Sequence, residues 1–148
     1  MQKTLWNPES RRELMNRLQK LKPDTSPVWG KMTAPQMVSH LIGWMLMANG
    51  DLYTAPRPSI LRRTPVKQFV VYWMPFPKGV PTAKELLERL PLEWSGEIDA
   101  LRRHLENFET DHRNHEWPEH PAFGFLTPGA WGVLGYRHTD HHLRQFGV

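Results

Sequence analysis

The chain has 148 residues, 39% of them apolar, with seven Trp and seven Met, enough to bury one core but not two. It has no Cys, which excludes disulfides, thiolate metal ligands and a cysteine nucleophile, and which suits a reducing cytoplasm. The net charge of +4 is scattered, with only Arg57, Arg62, Arg63 and Lys67 forming a local basic group, so no nucleic-acid partner is expected.

From the N-terminus, Met1 to Trp6 lacks the apolar region of a signal peptide. Asn7-Pro8-Glu9 reads as an N-cap, a first-turn proline and an acidic residue near the positive helix end. That helix should run to about Leu21 and stop before Pro23. A loop follows over Asp24–Lys31. Thr33-Ala34-Pro35-Gln36 is a capping box that introduces the segment Met37–Ala48, and Asn49-Gly50 supplies a left-handed stop. This second helix is apolar on nearly all sides, hence buried on nearly all sides, with His40 in its middle. It is too short to span a bilayer, and no membrane association is expected.

Ser59 to Trp73 suits either a short helix broken near Pro65 or an extended piece around Phe69–Trp73. Pro75–Pro81 reads as a loop, and Thr82-Ala83-Lys84-Glu85 as a second capping box for a short helix that Pro91 ends. Ile98, Leu101, Leu105 and Phe108 predict an amphipathic helix from about Ser95 to Asp111. His112–Phe125 is a loop, and Thr127-Pro128 opens a last helix to about Phe146, stopped by Gly147. Four substantial helices without a strand ladder predict one all-α domain over 1–148, a four-helix bundle with a long Pro-rich connection between the second and third helices.

Eight histidines are the unusual feature, and His40 alone precedes residue 100. Positions four apart on a helix differ by about 40° around its axis. His138 and His142 therefore point the same way on the last helix and can share a metal ion. Trp131, Leu134 and Gln145 fall on the same stripe, which turns from apolar to imidazole where the core should continue. Buried polar groups without partners cost about 1–3 kcal/mol each, and a shared divalent ion would provide for two of them. His40, on the most buried helix, is the best third ligand in sequence. Three neutral imidazoles with open positions match a catalytic rather than a closed structural site. His138/His141 is an alternative pair. The loop group His112, His115 and His120, with Glu116, is a rival site whose ordinary reading is solvated side chains.

His138-Thr139-Asp140-His141-His142 with Gln145 resembles the terminal-helix signature of the DinB-like superfamily of metal-binding four-helix bundles. Trp29-Gly30-Lys31-Met32 through Gln36-Met37 to His40 resembles its first motif. With His120-Pro121, Phe123-Gly124 and the ending Leu143-Arg144-Gln145-Phe146-Gly147, the chain looks like a DinB-related branch labelled a domain of unknown function, over roughly residues 8–147. The resemblance implies His40, His138 and His142 as ligands. Many relatives carry Arg-Gly-Gln after the last histidine, where this chain has Leu143-Arg144-Gln145.

The resemblance also implies a range of functions. Some relatives use the ion to activate a low-molecular-weight thiol, such as mycothiol, bacillithiol or glutathione, for transfer or isomerisation; others have no demonstrated activity. A metal-dependent transferase or hydrolase is the first expectation, and a non-catalytic protein whose metal stabilises the bundle is the second. Imidazole suits zinc, nickel, iron or copper, so the ligand type does not choose the metal; zinc or nickel is the first expectation, iron or manganese the second. Gln36 and Gln145 are candidates to bond a small-molecule substrate, and Trp44, Met47 and Trp131 to wall its pocket. Val133, Tyr136 and Leu143 form an apolar strip on the back of the last helix, to be covered by a neighbouring segment or by a second subunit of a homodimer.

Overall fold

The computed structural model describes residues 1–78 and 82–148. Asn7 opens α1 (Pro8–Leu18), where its side-chain oxygen accepts the N–H groups of Glu9 and Ser10. The helix ends three residues before the expected Leu21. Its last apolar position is reached instead through turns, Lys20 N–H to the Arg17 carbonyl and Leu21 N–H to the Leu18 carbonyl, and Leu21 is still buried. The apolar spacing thus outlasts the helical hydrogen bonding.

The capping box at α2 (Ala34–Asn49) forms in full: Thr33 N–H donates to Gln36 Oε1 at 2.8 Å and Gln36 N–H to Thr33 Oγ1 at 3.3 Å. Gly50, at φ 84°, closes the helix in the left-handed region. Every residue from Met37 to Met45 is buried, so α2 is the central helix, as its sequence demands.

The segment 59–73 folds as a 3-10 turn (Ile60–Arg62) and α3 (Val66–Tyr72), not as an extended piece. Gly79, Val80 and Pro81 of the expected loop lie outside the described residues. The second capping-box pattern does not cap: α4 (Lys84–Leu87) starts one residue too late, with Ala83 at its N-cap and no side-chain bond there. Leu86 of α4 packs on α2 at Gly43, where a Cβ would lie 3.4 Å from Leu86 Cδ2.

The predicted third long helix is two. Asn107, at φ −89° and ψ 0°, divides α5 (Trp94–Glu106) from α6 (Phe108–His112). Apolar spacing runs through this break because Leu101, Leu105 and Phe108 all reach the core regardless. α7 (Pro128–Gln145) starts at Thr127, whose hydroxyl accepts the Ala130 N–H.

The fold is all-α. Among the described residues there is no strand, only an isolated bridge between His120 and Gly124. α1 and α2 each pack against both α5 and α7, α4 packs on α2, and α3 lies on α7. Leu14, Leu18, Met37, Leu41, Met45, Leu101, Leu105, Trp131 and Leu143 fill the space between them. Each such side chain contributes about 1.5–3 kcal/mol relative to exposure.

The N-terminal segment lies on α7, with Leu5 N–H donating to the Gly132 carbonyl at 2.9 Å. A Cβ on Gly132 or Gly135 would collide with Trp6 or Leu5, so the approach depends on glycine there. The strip Val133, Tyr136 and Leu143 is buried within the chain. α1 packs on this helix, and the Tyr136 hydroxyl donates to Glu13 Oε1 at 3.2 Å. The strip therefore has its cover and is no argument for a second subunit.

Candidate metal centre

Helix spacing puts His138 and His142 on the face of α7 that meets α2, and His40 comes to them from the middle of α2. The three ring centroids are 4.7–4.9 Å apart. One ligand atom from each lies within 4.8 Å of the others, and among the described residues this is the one such cluster of histidine and carboxylate groups. His40 Nε2 and His138 Nε2 are 3.0 Å apart. Nitrogens around a tetrahedral ion with bonds of 2.0–2.1 Å are separated by about 3.3 Å, close to the spacing of this pair.

The environment favours neutral rings, the form that coordinates. Burial lowers the His40 pKa to about 3, aided by the nearby His142. Burial lowers His142 to about 4 against the raising effect of its bond to Gln145. His138 is held well below its ordinary value by burial and then by His142 and His40.

Gln145 fixes one tautomer. Its Nε2 donates to the Trp29 carbonyl at 3.0 Å, and a carbonyl can only accept, so the amide orientation is set. Oε1 then faces His142 Nδ1 at 2.8 Å, and that nitrogen must carry the proton. His142 Nε2 is left with its lone pair free for an ion, the arrangement in which an outer partner orients a metal-binding ring. Gly30 makes this possible. Its φ is +84°, and a Cβ there would lie 2.6 Å from Gln145 Nε2. By contrast, Nδ1 of His40 and of His138 is buried without a protein partner, so the outer support is complete only at His142.

The other expected site residues are placed differently. Gln36 is exposed, with its side chain bound to Thr33 in the capping box. Trp44 is buried and packs on His138 at 5.6 Å between ring centroids. Trp131 is fully buried, stacked on Trp117 at 5.3 Å, and Met47 is a core residue. These residues are core packing behind the histidines rather than walls of an open pocket.

His141 stays outside the trio, half-buried, with its ring against Trp29 and Phe76. The loop histidines are neither solvated nor grouped for a metal. His112 bonds the Phe108 carbonyl and Asn49, and His115 bonds the Ala48 carbonyl. His120 Nδ1 accepts the N–H groups of Ala122 and Phe123, and burial lowers its pKa to about 3. These rings anchor the loop.

What the sequence did not nominate is the open space beside the centre, a cleft of about 390 Å³. Trp29, Trp73, Phe76, Lys78, Arg137, Asp140, His141 and Arg144 line it. Phe76, in the cleft wall, packs against both His138 and His141, so a single layer of rings separates this cleft from the trio. Arg137 holds it in shape by donating to the carbonyls of Val70, Val71 and Met74 at the end of α3, with its guanidinium 5.0 Å from the Phe76 ring centre. The pattern of α7 hinted at it, since Arg137, Asp140 and Arg144 lie about 100° or more around the helix from His138, with His141 between them and the two ligand candidates.

No curated protein and no solved structure matches the chain. A family model described as "Protein of unknown function (DUF1569)" matches residues 5–147, which takes in the trio, Gln145 and the cleft. On that nearly complete match, the chain belongs to the DUF1569 family.

Proposed function

We propose that this protein is a divalent-metal protein of DinB-like four-helix-bundle type, in which His40, His138 and His142 hold the ion for thiol-dependent transfer or for hydrolysis. The observation that carries the reading is the convergence of three neutral imidazoles, His40 and His142 buried and His138 half-buried, one with its tautomer fixed by Gln145. The packing of α1 and α2 on both α5 and α7 supports the bundle, with α3 and α4 in the long connection. Imidazole ligation suits zinc or nickel, as it does iron and copper.

A divalent ion there would supply Lewis acidity, lowering the pKa of a thiol or water that reaches it. The chain itself contributes two tasks. Gln145 and the Trp29 carbonyl hold His142 with its lone pair inward. Trp44 and Phe76 flank His138 and keep bulk solvent from it. Among the described residues no carboxylate joins the trio, and Asp140 is turned to Arg17 and Arg144.

Cobalt(II)-loaded protein titrated with glutathione and other low-molecular-weight thiols tests the reading. A thiolate-to-cobalt charge-transfer band is expected. A visible spectrum unchanged by every thiol, with no hydrolytic turnover, would leave the ion a stabilising role only.

A further inference from the structure

The cleft beside the trio has a charge imbalance that the metal reading does not use. It presents three cations, Lys78, Arg137 and Arg144, and one carboxylate, Asp140. That carboxylate is already neutralised from behind: Arg17 Nη1 sits 2.6 Å from its Oδ1, while Arg144 Nε lies 3.1 Å from Oδ2. Arg137 bonds only to carbonyls, which orient it without cancelling its charge. Lys78 Nζ lies 4.4 Å above the Trp29 ring, and among the described residues it has no carboxylate partner. The remaining walls are flat and apolar, from Trp29, Trp73 and Phe76. Trp73 is 75% exposed, an unusual position for a tryptophan with no ligand against it.

We infer that this cleft is the substrate subsite and takes a small organic anion, a carboxylate or phosphate ester joined to a flat apolar group. The cations receive the charged end, with Lys78 and the outer nitrogens of Arg144 able to donate to it. The aromatic walls receive the apolar end, and the rings of Phe76 and His141 form the layer between the molecule and the trio. Its standing as a substrate subsite rests on the metal reading, whereas the anion selectivity does not.

The probes are phenylacetate and phenyl phosphate, with phenylacetamide as the uncharged control. Each is titrated into metal-free and metal-loaded protein and followed by the indole N–H resonances of Trp29 and Trp73, assigned through Trp→Phe variants. At least one anion should shift those resonances and bind about tenfold or more tightly than phenylacetamide, since charge-assisted hydrogen bonds are at stake. The arms distinguish carboxylate from phosphate as the preferred head. Lys78→Gln with Arg144→Gln should abolish the preference and leave metal content unchanged.

Equal binding of charged and neutral probes, no binding of any, or a preference untouched by the double variant would overturn the anion site. So would anion binding that requires the metal and survives the double variant, because the anion would then be a ligand of the ion. Anion binding without any metal uptake by the wild-type protein would instead sink the metal reading, and with it the substrate role.

Discussion

Gly30→Ala should weaken metal binding although residue 30 touches no histidine. The new methyl group would lie 2.6 Å from Gln145 Nε2, well inside van der Waals contact, and the backbone φ of +84° disfavours any residue with a Cβ. The left-handed conformation costs about 1–2 kcal/mol for alanine. Displacing the Gln145 amide also forfeits its bond to the Trp29 carbonyl, about 0.5–1.5 kcal/mol. Together these predict a loss of about 1.5–3.5 kcal/mol, or a fall in Tm of roughly 3–14 °C for a chain of this size.

With Gln145 displaced, His142 loses the partner that fixes its tautomer, and metal affinity should fall about 10–100-fold. The assay is zinc titration against a chromophoric chelator, alongside thermal unfolding of the metal-free proteins. Gln145→Ala should show the same affinity loss without the backbone strain. Because both changes act through one amide, the double variant should bind no more weakly than Gln145→Ala alone. Wild-type affinity in Gly30→Ala, or fully additive affinity losses, would refute this chain of reasoning.

Acid should destabilise the metal-free protein. His40, His120, His138 and His142 have folded pKa values below the unfolded value near 6.5, so the unfolded chain binds more protons as pH falls beneath it. Stability should be steady above about pH 6.5 and then drop towards pH 4, by about 1.4 kcal/mol per unit for each ring that stays neutral. Urea melts across that range check this, and a flat profile would contradict it. Glu97→Ala should cost roughly 2–3 kcal/mol by leaving Arg89 without the carboxylate it grips with both terminal nitrogens, measured as a shift in urea midpoint. Gly135→Ala should cost about 1–3 kcal/mol, because its methyl group would press on Leu5 Cδ1 at 2.5 Å and on the Trp44 ring that packs against His138. Unaltered thermal unfolding would show that the N-terminal segment yields freely.

The legible parts of the fold are those decided within a turn of chain. Asn7, Thr33, Gly50 and Thr127 mark helix ends because their chemistry satisfies backbone groups two to four residues away. The same logic fails at Thr82, where the pattern is present but the helix begins one residue later. Asn107 was invisible because apolar spacing reports which side faces the core, not whether the helix is continuous through it.

At the site, spacing pairs His138 with His142, and the buried character of α2 nominates His40. Spacing leaves His141 open as an alternative to His142; the family resemblance prefers His142, and the packing of α7 against α2 brings His142 rather than His141 to His40. The role of Gln145 depends on a carbonyl 116 residues away, and the cleft on loop residues Trp29, Phe76 and Lys78, none of which any local pattern ties to α7. Gln36 shows the reverse error: it shares a face with His40, yet its own helix end claims the side chain.

The central claim is that His40, His138 and His142 bind one divalent ion together. Metal analysis of protein purified without a histidine tag, wild type beside His138→Ala, tests it most directly. One equivalent of zinc or nickel per chain in the wild type and little or none in His138→Ala is the predicted result. Equal metal content in the two proteins, or a wild type that takes up none of these ions on dialysis, would contradict it.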